Sequence, residues 1–168
     1  MSYKNKTYVV FNADYPAGGG DIGHYRLMTA WKANNGIDFD FHNAHELNNL
    51  TINASDAQIY RKLRERMNNT KQLVVLVGDH TKNLYKFVRW EIEIAIDMDI
   101  PIIAVNLDKS NGATLKTPAI LKDNCYFVGV PFELKKIKYA LDNFPSEYHR
   151  SKSEAPSDRS YNWNNITL

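Results

Sequence analysis

A glutamate inside an apolar helical stripe is the residue of this sequence best placed to do chemistry. Phe87-Val88-Arg89-Trp90-Glu91-Ile92-Glu93-Ile94-Ala95-Ile96 reads as a helix, and on a helix positions three and four apart share a face. Phe87, Glu91, Ile94, Ala95 and Met98 lie together, with Val88, Ile92, Ala95 and Ile96 in an overlapping stripe. Glu91 therefore sits on or beside the apolar face, whereas Glu93 points elsewhere. Such a carboxylate has two readings. It is a rim acid in the first turns of a helix, favoured by the helix dipole, or a partly desolvated acid facing a cleft, its pKa raised by burial. The other candidates are polar residues at or just after strand ends: Asn12, Asp14, His42, Asn43, Asp79, His80 and Asn106. His24 and Tyr25 begin the first helix nearby. For each of these, a capping or loop hydrogen bond explains the residue as well as ligand contact does. Trp90 offers a ring for stacking, although an aromatic on an amphipathic helix is more often core.

The elements that must position these residues are legible in the hydrophobic pattern. Tyr8-Val9-Val10-Phe11 is a short buried strand. Residues 15–20 form a loop, Asp21 caps a helix reaching about Asn34, and Asn34-Asn35-Gly36 stops it. Ile37-Asp38-Phe39-Asp40-Phe41 alternates, which suits an edge strand with one wet face, and residues 42–53 read as a polar loop. Ser55 or Asp56 caps a helix to about Met67. Leu73-Val74-Val75-Leu76-Val77 has no alternation, so it belongs at the centre of a sheet covered on both faces. A helix from about Lys86 to Met98 follows. Ile102-Ile103-Ala104-Val105 is the next strand, residues 109–124 an irregular connection, Tyr126–Val130 a fifth strand and Phe132 to Phe144 a last helix. From Ser146 the chain turns polar, which divides it into a domain over residues 1–145 and a tail over 146–168, with Tyr161 and Trp163 able to pin the tail back. Strands alternating with helices predict a parallel sheet with right-handed crossovers. Ligands of such sheets sit beyond the carboxyl ends of the strands, where the strand order reverses.

The bulk properties narrow the function. A chain of 168 residues suits one domain with a real core. A net charge of +2 argues against a dedicated nucleic-acid binder. Cys125, the one cysteine, forms no internal disulfide and opens an apolar run, so it reads as a packed strand residue in a reducing compartment. The polar stretch Met1 to Lys6 does not resemble a signal peptide, and no run approaches the ~20 apolar residues of a membrane helix. A cytoplasmic location without membrane or nucleic-acid partners is expected. Five scattered histidines give no metal-ligand spacing.

Two motifs are set aside. Gly18-Gly19-Gly20-Asp21-Ile22-Gly23 matches G-x-G-x-x-G, with Asp38 and Asp40 about 20 residues on. The dinucleotide fingerprint needs its first glycine in the turn directly after the strand, and here Asp14-Tyr15-Pro16-Ala17 intervenes. A phosphoacceptor receiver site wants an acidic pair after the first strand and a lysine ending the fifth. Asp14 stands alone, and the fifth strand ends Val130-Pro131.

The helix around Glu91 resembles the segment that carries the catalytic glutamate of TIR domains, an aromatic-Val pair with the acid three residues after the valine. Trp90-Glu91-Ile92, and His24-Tyr25-Arg26-Leu27 with Trp31-Lys32-Ala33-Asn34, are similar in particular to the TIR-like domains of Thoeris antiphage ThsB proteins. The similarity runs in order over about residues 7 to 144. It implies a three-layer, flavodoxin-like α/β fold: a five-stranded parallel sheet in the order 2-1-3-4-5 with helices on both faces. It also implies NAD+ as substrate with no further cofactor and no metal, and cleavage of the nicotinamide–ribose bond with Glu91 as the catalytic carboxylate. Asn12, Asp14, His24, Tyr25, Asn43, Asp79, His80, Trp90 and Asn106 would then bind substrate. A nucleotide signal to an effector protein, a phage-derived trigger and self-association belong to the same expectation. The chain departs from the family where the first strand ends Val10-Phe11-Asn12-Ala13, and in its glycine-rich 15–23 loop. A non-catalytic interaction module and a nucleoside deoxyribosyltransferase-like enzyme are the alternatives.

Overall fold

Aliphatic and β-branched runs build the inner strands of the sheet, which are apolar on both sides because helices cover both faces. The computed structural model describes residues 7–12, 21–35, 41–43, 54–83, 86–152 and 156–168. Its strands are β1 (Thr7–Val10), β2 (Phe41–Asn43), β3 (Gln72–Val77), β4 (Ile102–Asn106), β5 (Tyr126–Pro131) and β6 (Ser157–Arg159). All pairings are parallel, in the order β2-β1-β3-β4-β5-β6. The helices are α1 (Ile22–Asn35), α2 (Asp56–Met67), α3 (Lys86–Asp97), α4 (Ala119–Asn124) and α5 (Leu134–Ser151), with short 3-10 turns at Thr81–Asn83 and Trp163–Asn165.

The pleat divides the core in two. Val9, Val74, Leu76, Ile103, Val105, Val128 and Val130 face α1 and α5, where Tyr25, Met28, Leu141 and Phe144 pack on them. Tyr8, Val10, Leu73, Val75, Ala104 and Phe127 face the opposite layer, made by Ile59, Leu63 and Met67 of α2, Val88, Ile92 and Ala95 of α3, and Leu121 of α4. The start of α2 is set locally. Ser55 accepts from the Gln58 N–H, and the Gln58 side chain accepts from the Ser55 N–H, a complete capping box.

Several expectations are corrected. The edge strand is Phe41–Asn43, beginning where an end was expected, so His42 and Asn43 are strand residues. Pairing with β1 decides this, since Thr7, Tyr8 and Val9 match Phe41, His42 and Asn43. Residues 36–40 lie outside the described set. The connection over 109–124 ends in a helix, α4, begun by Pro118, whose fixed φ suits a helix start. The last helix does not stop at Phe144. It continues to Ser151 with Pro145 inside it, straight through the expected boundary at 145. A proline in a helix removes a backbone bond and costs ~3 kcal/mol in isolation. Here Phe144, Pro145 and Tyr148 are buried, Tyr148 stacks on Tyr126, and its hydroxyl donates to Asp99 at 2.7 Å. That packing outweighs the local cost.

The sheet also has six strands where five were expected. β6 escapes a hydrophobic reading because Ser157-Asp158-Arg159 is an edge strand with little apolar content. Beyond it Tyr161 is 5% exposed and donates to Glu147, while Trp163 donates from Nε1 to Asn111 Oδ1 at 2.8 Å. The polar tail is thus docked by its two aromatics. No helix among the described residues is long and apolar enough to cross a membrane.

Candidate active site

Strand order reverses between β1 and β3, and Asn12, Asp21 and Thr81 converge there. Asn12, 4% exposed, leaves β1 and gives its backbone N–H to the Asp21 carboxylate. Asp21 also accepts from Thr81 Oγ1 at 3.4 Å, and Thr81 in turn accepts from the Gly78 N–H at 2.8 Å. Gly78, at the exit of β3, has no side chain because none fits: a Cβ would stand 2.5 Å from Asp21 Oδ1. Burial pushes the Asp21 carboxyl above its ordinary value, opposed by the Asn12 bond, His24, the Thr81 bond and His80. One buried carboxylate therefore ties together the exits of β1 and β3 and the start of α1. Its sequence context marks Asp21 only as a helix cap. Its setting beside Gly78 depends on residues 57 and more positions away, which no local pattern carries.

The other candidates divide between this cluster and other work. His24 packs edge-on to Phe132, and Tyr25 stacks on Phe11 with ring centroids 4.7 Å apart, so both line the α1 side of the exits. His80 lies close enough to act on Asp21. Asp79 turns outward and pairs with Lys116 at 2.8 Å. Lys116 also reaches Asp108 at 3.2 Å, and this surface network holds the Asp79 carboxyl below its usual range. Trp90 fills the seam between α2 and α3, edge-on to Tyr60 and Phe87, with the Lys86 ammonium over its ring. Asn43 is described only as backbone in β2, and Asp14 and the glycine-rich segment 13–20 lie outside the described residues. Cys125 is half-buried, and burial pushes its thiol up to about 12, which leaves it unreactive.

Asn106, 1% exposed at the end of β4, spends its amide on its own loop. Nδ2 donates to Ser110 O and to Gly112 O, each at 2.8 Å. A buried carbonyl, that of Gly112, and a part-buried one, that of Ser110, lose their partner if it is removed. Asn106→Ala is expected to cost about 2 kcal/mol in urea unfolding, within the range for orphaned buried groups. A change under about 0.5 kcal/mol would show that water replaces the amide freely.

Glu91 is deeper. It is the sixth residue of α3, roughly 7–8 Å along the helix from its start at the carboxyl edge of the sheet. Its side chain points at the sheet and is 4% exposed. Tyr8, in β1, donates its hydroxyl to Glu91 Oε1 at 2.9 Å. Burial pushes the Glu91 carboxyl up to about 8, while the Tyr8 bond and the Arg66 guanidinium pull the other way. Of the two positions that the helical stripe left open for Glu91, the structure has the inward one. Glu93 is on the outer face, paired with Arg89 at 2.8 Å. The groove of about 550 Å³ between α3 and α4 runs along that outer face, past Arg89, Glu93, Ile96 and Ile120, and does not involve Glu91. Among the described residues no group of three His, Cys, Asp or Glu side chains converges to hold a metal.

The family model for the TIR-like domain of the Thoeris protein ThsB matches residues 8–112, more than half of the chain. The chain belongs to the ThsB TIR-like family. The matched span runs from Tyr8 in β1 to Gly112 in the loop after β4, and so includes Asp21, Gly78 and Glu91. α4, β5, α5 and the docked tail of this ThsB-type domain lie beyond it. No curated protein matches the chain.

Proposed function

We propose that this ThsB-type domain cleaves NAD+ at the nicotinamide–ribose bond and makes an ADP-ribose-derived signal in antiphage defence. The observation that carries the reading is Glu91, a carboxylate held inside the fold by Tyr8 at 2.9 Å, next to the reversal of strand order. Nicotinamide in NAD+ is already cationic, so the bond breaks with its electron pair going to the ring nitrogen and neutral nicotinamide departs without a general acid. The ribose left behind carries oxocarbenium-like charge, which carboxylates stabilise in glycoside chemistry. A fixed anion in a poorly solvated site stabilises that charge strongly, since no solvent must reorganise. Water at the anomeric carbon yields ADP-ribose and a proton; capture by a nucleophile within the same molecule yields a cyclic product. A diffusible product of this kind would carry the signal to a separate effector, and a phage component would set off its synthesis. The residues at the β1 and β3 exits, Asn12, His24, Tyr25 and His80, orient the substrate, together with Asp14 and Asn43.

The ionised form of Glu91 is the useful one, and its carboxyl lies at about 8. kcat/KM reports the free enzyme. It is therefore expected to rise with pH through about 8 and to level off above it. Incubation of the purified protein with NAD+, with and without phage lysate, and measurement of nicotinamide release across pH 6 to 9.5 tests the reading. Absence of nicotinamide under every condition would sink it. Base exchange on free nucleosides would instead support a deoxyribosyltransferase-like enzyme.

A further inference from the structure

We propose that Tyr8 is a positioning residue for Glu91, holding Oε1 so that Oε2 is the oxygen offered to substrate. The inference rests on the reading of Glu91 as the reacting carboxylate. Tyr8 is 0% exposed in the middle of β1, paired with His42 of β2 on one side and Leu73 of β3 on the other. It thus stands on a strand bonded on both edges, with a ring that has only two torsions to lose. A phenylalanine would fill the same space, so the hydroxyl accounts for one thing, its bond to Glu91 Oε1 at 2.9 Å. Among the described residues this is the hydrogen bond that Glu91 makes, and Oε2 receives none.

Among the described residues, Tyr8 is the hydrogen-bond donor to the carboxylate and Arg66 the charge that acts on it. From β3 the side chains on this face are Leu73, Val75 and Val77, all apolar. From α2 the charged group acting on Glu91 is Arg66. On α3 itself Arg89 and Glu93 are paired with each other on the outer face. Burial, with the neighbouring Glu91 charge, keeps the Tyr8 phenol far above its ordinary range, so it remains a donor at any working pH. A permanent donor favours the ionised carboxylate over the neutral acid. It also fixes the rotation of the carboxylate plane, which aims the second oxygen and spares the reaction that ordering step.

Tyr8→Phe keeps the ring and removes the donor. The midpoint of kcat/KM against pH is expected to rise by about one unit, with a roughly tenfold loss of kcat at pH 7 and little change in KM. A merely structural role would lower the amount of folded protein and leave that midpoint in place. The ionisation of Glu91 can also be followed without turnover, from the carboxyl infrared band that disappears in Glu91→Gln. That band should titrate at higher pH in Tyr8→Phe than in the unsubstituted protein. An unchanged midpoint in folded Tyr8→Phe would overturn the inference. If the phenylalanine variant does not fold, 3-fluorotyrosine at position 8 keeps the contact with a stronger donor. The band must then titrate at lower pH, and an unmoved band overturns the inference equally. Failure of NAD+ cleavage in the unsubstituted protein would remove the proposed function alone, while the infrared titration still decides whether Tyr8 governs Glu91.

Discussion

Glu91→Gln is expected to reduce nicotinamide release by about a thousandfold or more, the scale of losing one preorganised charge-stabilising group, while making the folded protein more stable at pH 8. The sign of the second effect follows from linkage. The carboxyl of Glu91 titrates at its ordinary 4.5 in the unfolded chain and at about 8 in the folded one, because burial penalises the charge. Below the unfolded value both states are protonated and nothing is lost. Between the two values the unfolded chain releases its proton while the folded one keeps it, so stability falls as pH rises, and the penalty from this group is complete above about 8. The accumulated loss is on the order of 3–5 kcal/mol. Glutamine does not ionise, and its carbonyl can still accept from Tyr8. Urea unfolding should show the variant ahead by a few kcal/mol at pH 8 and nearly level with the unsubstituted protein at pH 4. A variant less stable at pH 8, or equally active, would contradict the account of Glu91 given above. An acid kept in the core at a cost to stability is what a reacting group requires, and a packing residue gains nothing from it.

Gly129→Ala should have the largest effect on the fold itself. Gly129 lies in β5, opposite Ala104 of β4. A Cβ there would stand 2.4 Å from both the carbonyl carbon and oxygen of Gly112, so backbone, and no flexible side chain, blocks it. Gly112 cannot retreat easily. Its N–H donates to Gly129 O at 3.0 Å, its carbonyl is gripped by Asn106, and its φ of +79° brings it against Ser160 at the start of the docked tail. The methyl must push apart β5, the loop after β4 and the tail together. A loss of about 3 kcal/mol is expected, at the upper end for overpacking, with a fall in Tm of about 10 °C for a chain of this size. Trp163, which hydrogen-bonds Asn111 in the same loop, should become more exposed to a fluorescence quencher. Unaltered stability and quenching would mean that the contact between β5 and the loop relaxes without cost.

Much of the fold was legible because it depends on short-range pattern. The unbroken apolar run of β3 placed it in the sheet interior, and it pairs with β1 and β4. The capping box of α2 is complete within four residues. Spacing alone put Glu91 on or beside the apolar face of α3, since helical geometry repeats every 3.6 residues whatever surrounds it, and left open whether it is a rim acid or an inward one. Elements whose identity depends on a distant partner were not legible in this way. β2 takes its register from β1, α5 passes through Pro145 because Tyr148 reaches Asp99, and β6 exists because β5 offers it an edge.

The same division runs through the candidate site. Local order in the sequence determined that the chain is an α/β domain, that polar residues close its strands and that an acid lies on or beside the apolar face of α3. Tertiary structure alone decided what that acid touches. Tyr8 lies 83 positions from Glu91, and Asp21 meets Thr81 60 positions on, across the point where strand order reverses. The periodicity of a strand or helix fixes the direction of a side chain relative to its own backbone. The atom it meets is chosen by how separate elements are laid side by side, and desolvation, which raises the carboxyl of Glu91, arises only once they have closed around it.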